Sequence, residues 1–251
     1  MAAKDHEVFL APNNPGIAIW RYMDFTKFVS MLVHKGIFFS RLDKLNDPFE
    51  GSLPKLNTRD DLIRPPKELA NNPRAAEAYT SGLKNIRKYI RELRPWIYAS
   101  TWHMAEHESA GMWKLYSRTE EAICIRSTFT KLCAALPDDV YVGQVIYIDY
   151  EQQFLPIDNM LWPYMHKRRS FEHERELRAL IPDLTSMSKS PRPEPPAAGI
   201  WRDVDLSSVI ERVHIAPTAP QWFKETVEAT IKQFGFEFQI TRSILDESPM
   251  W

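Results

Sequence analysis

The chain has 251 residues, with 32 lysines and arginines against 33 aspartates and glutamates and a net charge of −1 at pH 7. That balance excludes a polybasic protein held to nucleic acid by bulk charge, and a hydrophobic share of 44% excludes wholesale disorder. Eight glycines are under half of what the usual share of about 7% would supply, and no G-x-G-x-x-G or G-x-x-x-x-G-K-[ST] run occurs, so glycine-built phosphate cradles are excluded too.

Surface scaling lets a chain of this length bury about 73% of the area it exposes when unfolded, which predicts one domain over 1–251 with a core of about 17–245. Residues 1–10 carry four charged or titratable side chains and no apolar run of signal-peptide length. No stretch reaches eighteen apolar residues. The expectation is a cytoplasmic protein that does not engage membranes.

In chain order, Ile17–Tyr22 reads as a strand and Asp24 as the N-cap of a helix whose apolar face is Phe25, Phe28, Val29, Leu32 and Val33. Gly36 is expected to end that helix in a left-handed conformation, with a second strand over 37–40. Asn46-Asp47-Pro48-Phe49-Glu50-Gly51 is turn chemistry around one aromatic. Residues 57–72 read as a polar surface excursion. Asn72-Pro73 then opens a long helix to about Leu93, with Leu83, Ile86, Ile90 and Leu93 on one side and a basic stripe of Lys84, Arg87, Lys88, Arg91 and Arg94 beside it.

A strand over 96–102, a helix over 109–118, a strand over 122–127, a helix over 128–136 and a strand over 140–150 follow. Leu161–His166 reads as a short helix and Glu174–Ile181 as a strand. Residues 182–196 hold five prolines and read as a long loop, extending to about residue 200. A strand over 209–215, a helix over 220–234 capped by Thr218 and closed by Gly235, and a final strand over 236–241 complete the chain. Irregular interleaving of strands and helices predicts an α+β fold with a mixed or split sheet.

The two cysteines, Cys124 and Cys133, lie among apolar neighbours and read as buried free thiols. His103 and His107 are four apart, a spacing that on a helix would make half of a metal site. H-E-x-x-H is absent and no third ligand lies nearby, so a metal-dependent hydrolase is the least favoured reading and no metal is expected.

The densest polar cluster runs from His166 to Arg178. On a strand, alternation would put Glu174, Glu176 and Arg178 on one face, two carboxylates able to meet a cationic transition state. The same pattern fits a solvated sheet edge. Arg21, beside Tyr22 in an apolar strand, needs a phosphate or carboxylate partner. Ser100 and Thr101 at a strand end either brace a ligand or cap a turn. The helix stripe of Arg87, Lys88 and Arg91, together with Lys167 and Arg168, is a candidate surface for nucleic-acid phosphate and equally a solvated face.

Several segments together resemble a bacterial family designated as a domain of unknown function, number twenty-nine seventy-one. They are Trp20-Arg21-Tyr22-Met23, Phe39-Ser40-Arg41 through Gly51, Met112-Trp113-Lys114-Leu115-Tyr116-Ser117, Ala122 through Ser127, the strand around Tyr147-Ile148-Asp149-Tyr150, and Phe171 through Arg178. The order Arg, Ser-Thr, Glu-x-Glu is also similar to the Arg/Ser-Thr-Ser/Glu-x-Glu pattern of ADP-ribosyltransferases, with Trp102 in place of the last serine and Glu172 giving the acidic pair a second possible register. That resemblance implies a toxin or phage-defence enzyme using NAD as substrate. Glu176 would be the catalytic carboxylate, Glu174 would orient the acceptor, Arg21 and Tyr22 would hold the nucleotide, and Ser100 with Thr101 would brace Glu176. The competing expectation is a nucleotide- or nucleic-acid-binding module without catalysis.

Overall fold

The computed structural model describes residues 6–59, 68, 71–117, 119–247 and 249; most of the 57–72 excursion lies outside them. Strand β1 (Ala18–Asp24) runs into helix α1 (Phe25–His34) and strand β2 (Gly36–Arg41). A single helical turn, α2 (Lys55–Thr58), precedes the long α3 (Pro73–Leu93) and strand β3 (Ile97–Met104). Then come α4 (Ala110–Tyr116), β4 (Ala122–Thr128), α5 (Phe129–Ala135), β5 (Tyr141–Gln144), β6 (Ile146–Ile148), β7 (His166–Arg168) and β8 (Glu176–Pro182). The C-terminal part holds α6 (Leu184–Met187), β9 (Gly199–Asp203), α7 (Leu206–Val209), β10 (Arg212–Ile215), α8 (Gln221–Gln233) and β11 (Gln239–Arg242).

Helices and a mixed sheet make this an α+β fold. Nine strands form one sheet in the order β11-β10-β4-β1-β3-β2-β9, with β8 also paired to β3 and β5 to β8. β6 and β7 form a separate parallel pair. Within the large sheet only β10 and β11 are parallel. The connection that positions the site is at β3. Strand β8 covers one edge from Ile97 to His103, while the other edge is shared. β1 takes its C-terminal end (Trp20 opposite His103) and β2 its N-terminal end (Ser40 opposite Ala99). The sheet forks there, and Ser100–Trp102 face the fork without a partner strand on that side.

Two hydrophobic clusters lie on either side of β3 and β8. Tyr98, Trp102, Met104, Leu177, Ala179 and Ile181 pack in the larger one, and Ile97, Ala99 and Leu180 in the other. Val8 and Phe9 are buried in the second cluster, so the core reaches below residue 17. Asn72, Ser109 and Thr128 each accept a hydrogen bond from the backbone three residues on and cap their helices as their sequence positions require.

Several boundaries differ from the sequence reading. In α1, Val33 is exposed and Met31 is buried instead. The left-handed residue after α1 is Lys35 (φ 46°), while Gly36 begins β2. Glycine is needed at 36 for room: a Cβ there would sit 2.4 Å from the Arg202 carbonyl oxygen of β9. The strand expected over 140–150 is split, because Val145 N bonds Glu176 O where β8 begins, and beyond that point β5 has no partner to follow. β6 leaves to pair with β7 instead. The strand expected over 209–215 starts as α7, capped by Asp205, and α8 begins at Gln221 behind Pro220 rather than being capped by Thr218. β9 begins at the end of the region read as the proline loop and runs beyond it, and most residues from 188 to 198 are exposed. Among the described residues no helix is long and apolar enough to cross a membrane.

The Gly36 contact gives a direct test. Gly36→Ala should lower stability to urea by about 1–3 kcal/mol, because overpacking against backbone cannot relax through a rotamer. Gly82→Ala, in α3 with no atom within 4 Å of the added Cβ, should leave stability unchanged or raise it by about 0.5–1 kcal/mol.

Candidate functional site

A cavity of about 590 Å³ occupies the fork, lined from β1 by Trp20, Arg21 and Tyr22, from β2 by Phe38 and Ser40, and from β3 by Thr101, Trp102 and His103. Tyr116 of α4, Trp201 of β9, Lys27, Lys44, Glu174 and Glu176 also line it. Six aromatic side chains and three cations therefore surround a pair of carboxylates.

Arg21 bridges the fork. Its Nη2 donates to the Phe38 carbonyl oxygen at 3.1 Å, its guanidinium lies 5.7 Å from the centre of the Trp102 ring, and its Nη1 is buried with no hydrogen-bond partner. Burial lowers its pKa to about 10, which leaves it charged at neutral pH. A buried guanidinium nitrogen without an acceptor is costly, and an anionic ligand is what would satisfy it. Neighbouring Tyr22 accepts a hydrogen bond from Ser109 N at 2.7 Å, and burial raises its pKa.

The carboxylates belong to a buried network. The Lys167 ammonium lies 2.6 Å from Glu174, 3.2 Å from Glu50 and 3.4 Å from Glu176. The Arg178 guanidinium, fully buried, donates to Glu176 at 2.7 Å, reaches Glu50 at 3.1 Å and bonds the Tyr164 carbonyl at 2.5 Å. Three carboxylates against two cations give the cluster one net negative charge. Burial alone would push the Glu176 carboxyl up, but Arg178 and Lys167 overcome that and hold it below the ordinary range. Burial would likewise lower Lys167 and Arg178, and the carboxylates around them raise both instead.

The expected face of Glu174, Glu176 and Arg178 is realised only in part. Glu176 and Arg178 alternate on β8 opposite His103 and Thr101. Glu174, however, ends a 3-10 turn over Arg169–Glu174, and Arg175 is left-handed at φ 41°. The turn breaks the alternation, and the two glutamates meet through Lys167 rather than through strand periodicity. Glu172 stays exposed on that turn, whereas Glu174 and Glu176 are buried.

Thr101 lines the cavity and shares the face of β3 and β8 that carries Glu176, and Ser100 does neither. It lies opposite Ala179 on the face that carries Tyr98 and Trp102, fully buried, and its hydroxyl makes no hydrogen bond to Glu176. Strand alternation turns Ser100 away from the face that carries Glu176, and the groups that hold Glu176 are Arg178 and Lys167. Lys167 is accordingly no surface contact for nucleic acid. Arg168 pairs with Asp47 at 2.8 Å, its guanidinium stacked 4.2 Å from the Phe49 ring. On α3, Lys88 and Arg91 are exposed and Arg87 is half-buried, and none of the three lines the cavity.

His103 and His107 do not share a helix face. His103 is buried one residue before the end of β3, and His107 is exposed in the turn beyond. Among the described residues no group of three or more His, Cys, Asp or Glu is placed to hold a metal ion. His103 instead bonds the Glu174 carbonyl through Nδ1 at 2.6 Å, and burial lowers its pKa, so the neutral ring keeps Nε2 as an acceptor at the cavity. Cys124 and Cys133 are buried free thiols with pKa values raised by burial.

The sequence reading missed Glu50, Tyr116 and His103 as members of this site. Glu50 sits in a segment legible only as a turn. Gly51 follows it at φ 70°, where a Cβ would come within 2.7 Å of the Tyr164 ring, and Glu50 is buried against Lys167 and Arg178.

Acid should expose the network. A carboxyl whose pKa is depressed on folding contributes stability above its unfolded value of 4.5, and loses it as pH falls through the lower folded value. The wild type should therefore lose urea stability steeply below about pH 4.5, and Glu176→Gln should be less stable at pH 7 with a shallower acid slope. Arg178→Met, which strands two carboxylates, should cost about 3–5 kcal/mol at pH 7.

Compared with protein-family models, curated proteins and solved structures, the chain matches none.

Proposed function

We propose that this protein binds NAD in the forked cavity and breaks its nicotinamide–ribose bond, passing ADP-ribose to an acceptor. The observation that carries the reading is the unsatisfied Nη1 of Arg21 in the same cavity as Glu176, a carboxylate held ionised by Arg178 and Lys167. The cavity volume lies in the range that takes a ligand of this size, and its aromatic walls suit a planar base.

In this reading Arg21, with Lys27 and Lys44 at the rim, holds the pyrophosphate. The C1′–N bond breaks with its electron pair leaving on nicotinamide, and the ribose becomes an oxocarbenium-like cation. Glu176, in a cluster of net negative charge, stabilises that cation and holds a ribose hydroxyl. The acceptor's nucleophilic atom bonds C1′ and gives up its proton toward Glu174, which shares the Lys167 ammonium. Aromatic side chains around the fork exclude water, which strengthens each of these interactions.

One observation favours a second reading. Lys167 sits 2.6 Å from Glu174 and occupies the carboxylate that would receive the acceptor proton. A nucleotide-binding module without turnover would need no free carboxylate there.

Chromatographic measurement of nicotinamide release, with calorimetric titration of NAD, separates the two. Turnover predicts release by the wild type, a fall of about 10²–10³ in Glu176→Gln with NAD affinity kept, and weakened affinity in Arg21→Gln. Binding without release would establish the second reading. Failure of the folded wild type to bind NAD would remove both.

A further inference from the structure

A second cavity of about 330 Å³ lies over β1, β4 and β10, lined by Trp20, Arg126, Arg212 and His214 of the sheet, by residues 106–108, and by Ile244. We propose that it is a binding site for a phosphate monoester, with Arg126, Arg212 and His214 holding the phosphoryl oxygens and Trp20 covering the organic part. The proposal stands on this cavity alone and does not depend on NAD chemistry.

The strand registers build the site. Trp20 lies opposite Arg126, and Arg126 opposite Arg212, so an indole and two guanidiniums stand in one row across three adjacent strands. His214, two residues beyond Arg212, faces the same way. Like charges directly opposite one another on a sheet are unfavourable, and such a pair is kept where anions compensate it. Glu211 compensates Arg126, to which it is ion-paired, and it also meets Lys131 at 3.0 Å. Arg212 has no carboxylate partner among the described residues. Its Nε and Nη2 share the neutral Gln239 oxygen at 3.2 and 2.9 Å, which leaves Nη1 for a ligand.

His214 supplies an independent sign. The residue is 6% exposed, lines the cavity, and its Nε2 is buried with no hydrogen-bond partner. Its Nδ1 lies 3.3 Å from the Thr241 hydroxyl, and its ring is 5.0 Å from Trp20. When the Thr241 hydroxyl donates to Nδ1, Nε2 carries the proton and needs an acceptor. Burial pushes the His214 pKa down to about 4, so the ring is neutral near pH 7 and donates without adding charge.

The acidic side of the cavity leaves this open to an anion. Glu108 is committed to three donors, the Trp113 indole at 2.8 Å, the Ser243 hydroxyl at 2.5 Å and Ile244 N at 2.7 Å, and Glu106 is exposed at the rim. On the basic wall Arg126 is paired with Glu211, which Lys131 also meets from outside the lining, while Arg212 keeps its charge without a carboxylate among the described residues. Donors from three separate side chains match the three terminal oxygens of a phosphoryl group better than a planar carboxylate. A bare phosphate would leave most of 330 Å³ empty, which calls for an ester whose organic part lies against the indole.

Phenyl phosphate serves as probe and benzoate as its planar control, titrated at constant ionic strength into protein labelled with 15N at histidine. The His214 ring resonances should move saturably with phenyl phosphate. Arg212→Gln should weaken the apparent affinity about tenfold or more, the loss of one charge-assisted contact, and Arg21→Gln in the forked cavity should leave the His214 response intact. His214 resonances in the wild type that stay unmoved at saturating phenyl phosphate would overturn the site without recourse to any variant. Equal affinity in folded Arg212→Gln, or benzoate binding as tightly as phenyl phosphate, would overturn the assignment of ligand and partner.

Discussion

Two buried cations and three buried carboxylates tie the centre of this molecule together. Lys167 and Arg178 reach Glu50 from the turn after β2, Glu174 from the 3-10 turn, and Glu176 from β8, so segments far apart in the chain meet at one charged node. Carboxylates withdrawn from water are tolerated only when paired and hydrogen-bonded, and removing either cation strands charge rather than merely deleting a contact. The node therefore determines that Glu174 and Glu176 stand together at a cavity wall, and that Glu176 stays ionised there.

The fork of the sheet is the second constraint, and it follows from β3 having three neighbours. A strand offers two edges; β8 takes one whole edge, and β1 and β2 divide the other. Where they part, backbone groups and side chains line a cleft that a continuous sheet would have closed. Arg21 crosses it to the Phe38 carbonyl and retains one unsatisfied nitrogen. In a chain with eight glycines, any anion bound here would be held by side chains of this kind rather than by a glycine-rich backbone. The row of Trp20, Arg126 and Arg212 repeats the device on the same sheet, and Trp20 lines both cavities.

Local chemistry made much of the architecture legible. Asn72, Ser109 and Thr128 mark helix starts because their side chains satisfy backbone donors that the helix leaves open. The long amphipathic α3 and the apolar strands β1, β3 and β4 follow from periodicity. Misreadings fall where a partner element decides the outcome. Gly36 is demanded by β9, the 140–150 strand ends where β8 begins, and Ser100 and Thr101 are sorted to opposite faces by their strand.

The sequence alone determined an α+β chain with an arginine in an apolar strand, an acidic pair near residue 175 and no glycine phosphate loop, since those follow from composition, spacing and side-chain chemistry. Tertiary structure alone decided that Lys167 is a buried counter-ion rather than a surface contact, that Glu50 and His103 join the site, and that Ser100 does not. Burial and pairing set the protonation and reach of those groups, and both depend on residues distant in the chain, which no local pattern can carry.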